Sequence, residues 1–62
     1  MRERYYMVDK NKQYIALDAG MQEWYFTLNK AEAFLFSSKI TAEEVRKELG
    51  LKGFRIMPLN RK

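Results

Sequence analysis

The sequence predicts an α+β domain with the element order β-β-β-α-α-β. The expected architecture is a mostly antiparallel sheet of three or four strands with two short helices packed on one face. Three observations lead there. Residues 4–28 hold runs rich in aromatic and β-branched side chains, parted by short polar breaks, as strands joined by tight turns require. At Asn29 the composition changes to Ala, Glu, Lys and Leu with helix-cap signals. The chain then returns to an apolar run, FRIMPLN (54–60), which reads as a last strand.

Taken in order, RYYMVD (4–9) is the first strand, DKNK (9–12) a polar turn, and QYIALD (13–18) the returning strand of a hairpin. AGMQ (19–22) is a second break, in which Gly20 is free to take a positive φ. EWYFTL (23–28) completes a meander with short connections. Asn29 is a good N-cap for a short helix over KAEAFLF (30–36), with apolar positions at Ala31, Phe34 and Leu35. SSKI (37–40) interrupts it. Thr41 and Glu44 then have capping-box spacing, Glu43 and Glu44 suit a first turn, and Arg46 and Lys47 suit the end of a helix. Gly50 is the expected C′ residue, and Leu51 can close a Schellman motif back to Val45. The buried stripe of this helix is Ala42, Val45 and Leu49, with Ile40 as a staple before the cap. Pro58 cannot donate to a ladder, so it belongs near a strand end or on an edge. The last strand pairs either at an edge or beside the first strand.

Side chains on a strand alternate between faces, so the run Trp24-Tyr25-Phe26 sends an aromatic ring to each side of the sheet. The alternation suggests Val8, Ile15, Leu17, Trp24, Phe26, Leu28, Phe54 and Ile56 under the helices, met by Phe34, Leu35, Val45 and Leu49. The opposite face then carries Tyr5, Met7, Tyr14, Ala16, Tyr25, Thr27, Arg55 and Met57. A slip of one residue exchanges the two sets. Tyr5, Met7, Tyr14, Tyr25, Arg55 and Met57 are the candidate partner-binding residues, because Tyr, Met and Arg are enriched at interface centres. Aromatics on a helix-free sheet face can also stack on bases. A third reading is that they only pair across strands, at about 0.2–1 kcal/mol per pair.

The 62 residues form one domain, 1–62, near the lower size limit for folding without staples. The apolar fraction of 47% and charged fraction of 32% argue against disorder. With no cysteine, neither disulfides nor thiolate-bound metal can supply stability. The lack of a signal-peptide core or long apolar run fits an intracellular, soluble protein with no membrane partner. Twelve Lys and Arg against eight Asp and Glu give a net charge of +4, with the cations spread along the chain and runs only at the termini. That charge is a solvated surface or a nucleic-acid footprint, in which Tyr5, Tyr14 and Tyr25 stack on bases while Arg55, Lys10 and Lys12 meet phosphates. No histidine is present as a base or ligand. Ser37 and Ser38 have only Lys39 beside them. Asp9, Asp18 and Glu23 read as turn carboxylates, and Gly20, Gly50 and Gly53 make no phosphate cradle. The expectation is a protein that is not an enzyme, with no catalytic, cofactor-binding or metal-binding residues.

At YYMVD, QYIALDAG, WYFTLNKAEAFLF and TAEEVRKELGLKGFRIMPLN the chain resembles the very small α+β proteins encoded by phages and prophages of Gram-positive bacteria, mostly of undescribed function. The shared pattern is an aromatic hairpin, a strand running into Thr-Leu-Asn-Lys-Ala, a Phe-rich short helix, a capped helix and an alternating last strand. AGMQ departs from the more usual Gly/Asn-rich connection. The resemblance implies an accessory protein of the bacterial host cytoplasm that acts by binding, often to a host protein, or by pairing with itself.

Overall fold

The computed structural model describes residues 3–59. Its strands are β1 (Arg4–Val8), β2 (Tyr14–Asp18), β3 (Glu23–Thr27) and β4 (Arg55–Leu59), with a 3-10 turn at Lys30–Glu32 and one α-helix, α1 (Lys39–Leu49). Each strand lies inside its predicted run. Asn60, the predicted end of the last strand, and the terminal cations Arg2, Arg61 and Lys62 fall outside the described residues. The sheet order is β3-β2-β1-β4 and every pairing is antiparallel. The last strand is therefore both beside the first and at an edge, where Pro58 sits without breaking a central ladder.

Both hairpin turns are organised by the aspartate that opens them. The Asp9 carboxylate accepts from the backbone N–H of Asn11 and Gln13, at 2.9 and 2.8 Å. The Asp18 carboxylate accepts from Gly20 and Met21, at 3.1 and 3.4 Å. These are Asx-type turns, in which the side chain substitutes for a backbone acceptor. The positive φ expected at Gly20 occurs instead at Gln22, at 55°, and the first turn has its own at Lys12, at 62°. The aspartate bonds already hold the chain at Gly20, so the left-handed step is displaced to the residue that re-enters the strand.

One of the two predicted helices does not form. Asn29 does cap, its side chain accepting from the Ala31 N–H, but the helical part ends at Glu32 and Ala33 is extended. Phe34–Phe36 then runs as an extended wedge. Phe34 N–H donates to the Ile15 carbonyl at 3.0 Å, and Phe36 and Tyr5 exchange two backbone bonds of 2.8 and 2.7 Å. β1 and β2 are registered at Val8 and Tyr14, and beyond that pair the wedge meets both. Non-local bonds to β1 and β2 outweigh the weak helix propensity of a two-turn segment.

The true helix starts earlier than its capping box suggests. Ser38 is the N-cap, its hydroxyl accepting from the Thr41 N–H at 3.1 Å, so Thr41 is helical and Glu43 and Glu44 lie beyond the first turn. Its far end matches expectation. Gly50 has φ 66°, its N–H donates to Lys47, and the Leu51 N–H donates to Arg46, the paired bonds of a Schellman motif. Leu51 and Val45 both join the core cluster.

Met7, Ile15, Phe36, Ala42 and Leu51 form that core, with Tyr5, Trp24, Phe34, Val45, Phe54 and Ile56 packed around it. Trp24 sits 5.3 Å from Phe34, edge to face, and 6.1 Å from Phe36, stacked. Phe26 on β3 stacks on Phe54 beside β4 at 5.7 Å, although these strands are the two margins of the sheet. A flat four-strand sheet separates its margins by roughly 14 Å, so the sheet is curled over its helix-bearing side.

The faces of β2, β3 and β4 are as the alternation suggested, and that of β1 is reversed. Met7 is fully buried in the core and Tyr5 packs against it, so these two candidate binding residues lie on the helix side. Val8 goes to the other face. The run Tyr-Tyr-Met-Val is apolar on both sides, and periodicity has nothing there to choose with. Other expected core positions stay in solvent: Phe26, Leu28, Leu35, Ile40 and Leu49 are exposed. Ile40 lies inside the helix, and so is no staple before the cap.

Candidate binding surface

The face away from α1 is built in rows by the strand register. One row is Thr27, Tyr14, Val8 and Arg55, running from β3 across the sheet to β4. The next places Tyr25 beside Ala16 on one half and Tyr6 beside Met57 on the other. The Tyr6 and Tyr14 rings lie 5.8 Å apart at 46°, a tilted cross-strand contact. The Lys30 ammonium stands 4.9 Å from the Tyr6 ring centre, within cation–π range. Thr27 donates its hydroxyl proton to Glu32 at 2.9 Å. The 3-10 turn thus reaches this face, while Ala42 of α1 packs on the other, so the chain crosses between β1 and β2 at its Phe34–Phe36 wedge.

Of the six predicted binding residues, the structure brings Tyr14, Tyr25, Arg55 and Met57 onto this face and takes Tyr5 and Met7 away. Tyr6, Val8 and Lys30 replace them. The sequence held a signal for Tyr6 and Val8: a turn closed from Asp9 to Gln13 pairs Val8 with Tyr14, which forces both to one side. Lys30 is unexpected here because the sequence predicts both helices on the opposite face of the sheet. Ala16 is fully buried here. On the helix side, Tyr5 donates its phenol proton to Glu3 at 2.8 Å, and that bond, with desolvation and the Glu3 charge, raises its pKa above the ordinary 10.0.

Exposed apolar side chains are most frequent on and around β3, with Leu35, Ile40 and Leu49 exposed elsewhere. Met21, Tyr25, Phe26 and Leu28, all on β3 or its flanks, are exposed, Phe26 by 56% and Leu28 by 72%. Phe26 keeps one ring face on Phe54 and presents the rest to water.

Groups with chemical potential elsewhere are engaged structurally. Asp9 and Asp18 accept turn N–H groups, and the Ser38 hydroxyl caps α1. A depression of about 200 Å³ at the end of α1, lined by Arg46, Lys47, Gly50, Leu51 and Lys52, falls below the usual size of a small-molecule pocket. Among the described residues no helix is long and apolar enough to cross a membrane. Comparison with protein-family models, curated protein sequences and solved structures finds no match.

Proposed function

We propose that the protein is a non-enzymatic binding module, a phage-type accessory protein of the bacterial cytoplasm that docks a protein partner through its tyrosine-bearing sheet face. The observation that carries this reading is the grouping of Tyr6, Tyr14 and Tyr25 with Arg55 and Met57 on the face that α1 leaves free. Tyrosine supplies large contact area at low entropic cost, and arginine and methionine are its usual companions at interface centres. The nucleic-acid alternative has its own support in Lys30 over Tyr6 and Arg55 at the end of the Tyr14 row.

The test is capture from a bacterial lysate by wild type and by a Tyr14→Ala/Tyr25→Ala double variant, at two salt concentrations. A single stoichiometric protein held by wild type, lost with the double variant and insensitive to salt is the expected result. Retention of a single-stranded oligonucleotide that falls steeply with salt would replace this reading with the nucleic-acid one. Equal capture by both proteins would remove the face from consideration.

A further inference from the structure

We infer that the free edge of β3 pairs with the same edge of a second copy, in antiparallel register about a two-fold axis at Tyr25, to give a homodimer with one continuous eight-strand sheet. This edge shares Tyr25 with the tyrosine face, but it consists of backbone groups and its pairing does not depend on that face binding anything. The carbonyls of Gln13 and Ile15 are taken by Asp9 and Phe34, on the β1 side of β2. Tyr14, Ala16 and Asp18 must therefore bond in the other direction, to Thr27, Tyr25 and Glu23. Trp24 and Phe26 then aim their N–H and C=O groups outward, and among the described residues no strand lies on that side.

An edge of this kind is normally blunted by proline, lysine or a bulge. Here the stretch from Ala19 to Asn29 has no proline and Glu23 is its one charged residue. The cations that would make two copies of a +4 chain repel lie elsewhere in the sequence.

The strand also fits itself. Pairing about Tyr25 sets Trp24 opposite Phe26 of the second copy, and both are outward-pointing residues, so all four outward N–H and C=O groups of each strand segment are satisfied reciprocally. Glu23 meets Thr27 rather than a second carboxylate. Each exposed Phe26 ring gains a cross-strand Trp24 neighbour, and the two Tyr25 side chains meet in the close, non-hydrogen-bonded position. An isologous contact of this sort closes at two copies. Five-residue strands make a small interface, so the pair belongs with those that dissociate in the micromolar to millimolar range.

Sedimentation equilibrium of the full chain across that concentration range tests the proposal, with the fluorescence of the single Trp24 as a second readout. The expected result is twice the monomer mass at high concentration and a blue shift of Trp24 emission along the same isotherm. Phe26→Lys should weaken dimerisation at least tenfold. Because Phe26 also stacks on Phe54, a synthetic chain methylated at the Phe26 amide nitrogen serves as a second variant: it removes an outward donor, keeps the ring, and should be monomeric. Ile40→Lys, which removes a still more exposed apolar side chain from α1, should dimerise as wild type does. A monomer throughout, growth beyond two copies, or dimers intact in the methylated chain would overturn the inference.

Discussion

The two margins of the sheet are strands of equal length that treat their free edges in opposite ways. In β1, Tyr5 and Asp9 turn their backbone groups toward Phe36 and Gln13, so Arg4, Tyr6 and Val8 bond to β4, leaving Ile56 and Pro58 of β4 facing outward. Pro58 has no N–H, Arg55 adds a charge at the strand's start, and α1 packs alongside. β3 has outward N–H and C=O groups at Trp24 and Phe26 and exposed Tyr25 and Phe26, with exposed Leu28 just after it. A proline, a charge and a neighbouring helix separate a guarded edge from a bare one, which shows how local the control of strand pairing is.

The difference between the two edges vanishes most completely if β3 loses its anchor. Trp24→Ala removes the ring that packs on Phe34 and Phe36, and should cost about 3–5 kcal/mol in urea unfolding. A domain of this size has stability of only about 3–9 kcal/mol, so the loss would be a large part of the whole. A loss near that of a surface substitution would mean that β3 is held by its backbone alone. Restoring a donor on the other edge is the next largest change. Pro58→Val should give β4 a pairing edge of its own and turn a closed dimer into mass that keeps growing with concentration. If the variant stops at the wild-type mass, α1 and not Pro58 is what guards β4.

Smaller effects sharpen the same contrast. Ser38→Ala should destabilise by about 1 kcal/mol through loss of the α1 cap, whereas Thr41→Ala should cost clearly less. The reverse order would restore Thr41 as the cap. The smallest effect is alkaline. Tyr5 is opposite Pro58 across β1 and β4, and its raised pKa means the folded state holds this proton more tightly than the unfolded chain. That contribution is fully present below about pH 10 and is lost as pH rises through the folded pKa. Unfolding of wild type and Tyr5→Phe should therefore converge in strongly alkaline solution, and a constant gap would place the Glu3 bond outside the folding equilibrium.

Particular residues explain what the chain disclosed. The second hairpin was legible because Asp18 and Glu23 bracket a break between two apolar runs, and its faces followed from Ile15 and Leu17 alternating with Tyr14 and Ala16. β1 failed because Tyr5, Tyr6, Met7 and Val8 have no polar side to turn outward. Residues 33–36 failed for another reason. Ala-Phe-Leu-Phe is compatible with a helix, and only Tyr5 and Ile15, far away in sequence, supply the bonds that extend it. For two-thirds of the candidate residues the face was legible: Tyr14, Tyr25, Arg55 and Met57 lie on the side the alternation gave them, and Tyr6, Val8 and Lys30 became visible there only with the hairpin register and the 3-10 turn.

Local chemistry by itself determined the strand limits, the aspartate turns, the Asn29 cap and the Gly50 terminus. Each depends on backbone conformations and hydrogen bonds spanning a handful of neighbouring residues. Tertiary contacts alone decided which way β1 faces, that the Phe34–Phe36 segment wedges in through backbone bonds to Tyr5 and Ile15, and that β4 ends up guarded while β3 stays bare. Those outcomes depend on which distant backbone groups find one another, and an aromatic-rich chain that is greasy on both faces carries no periodic pattern to announce it.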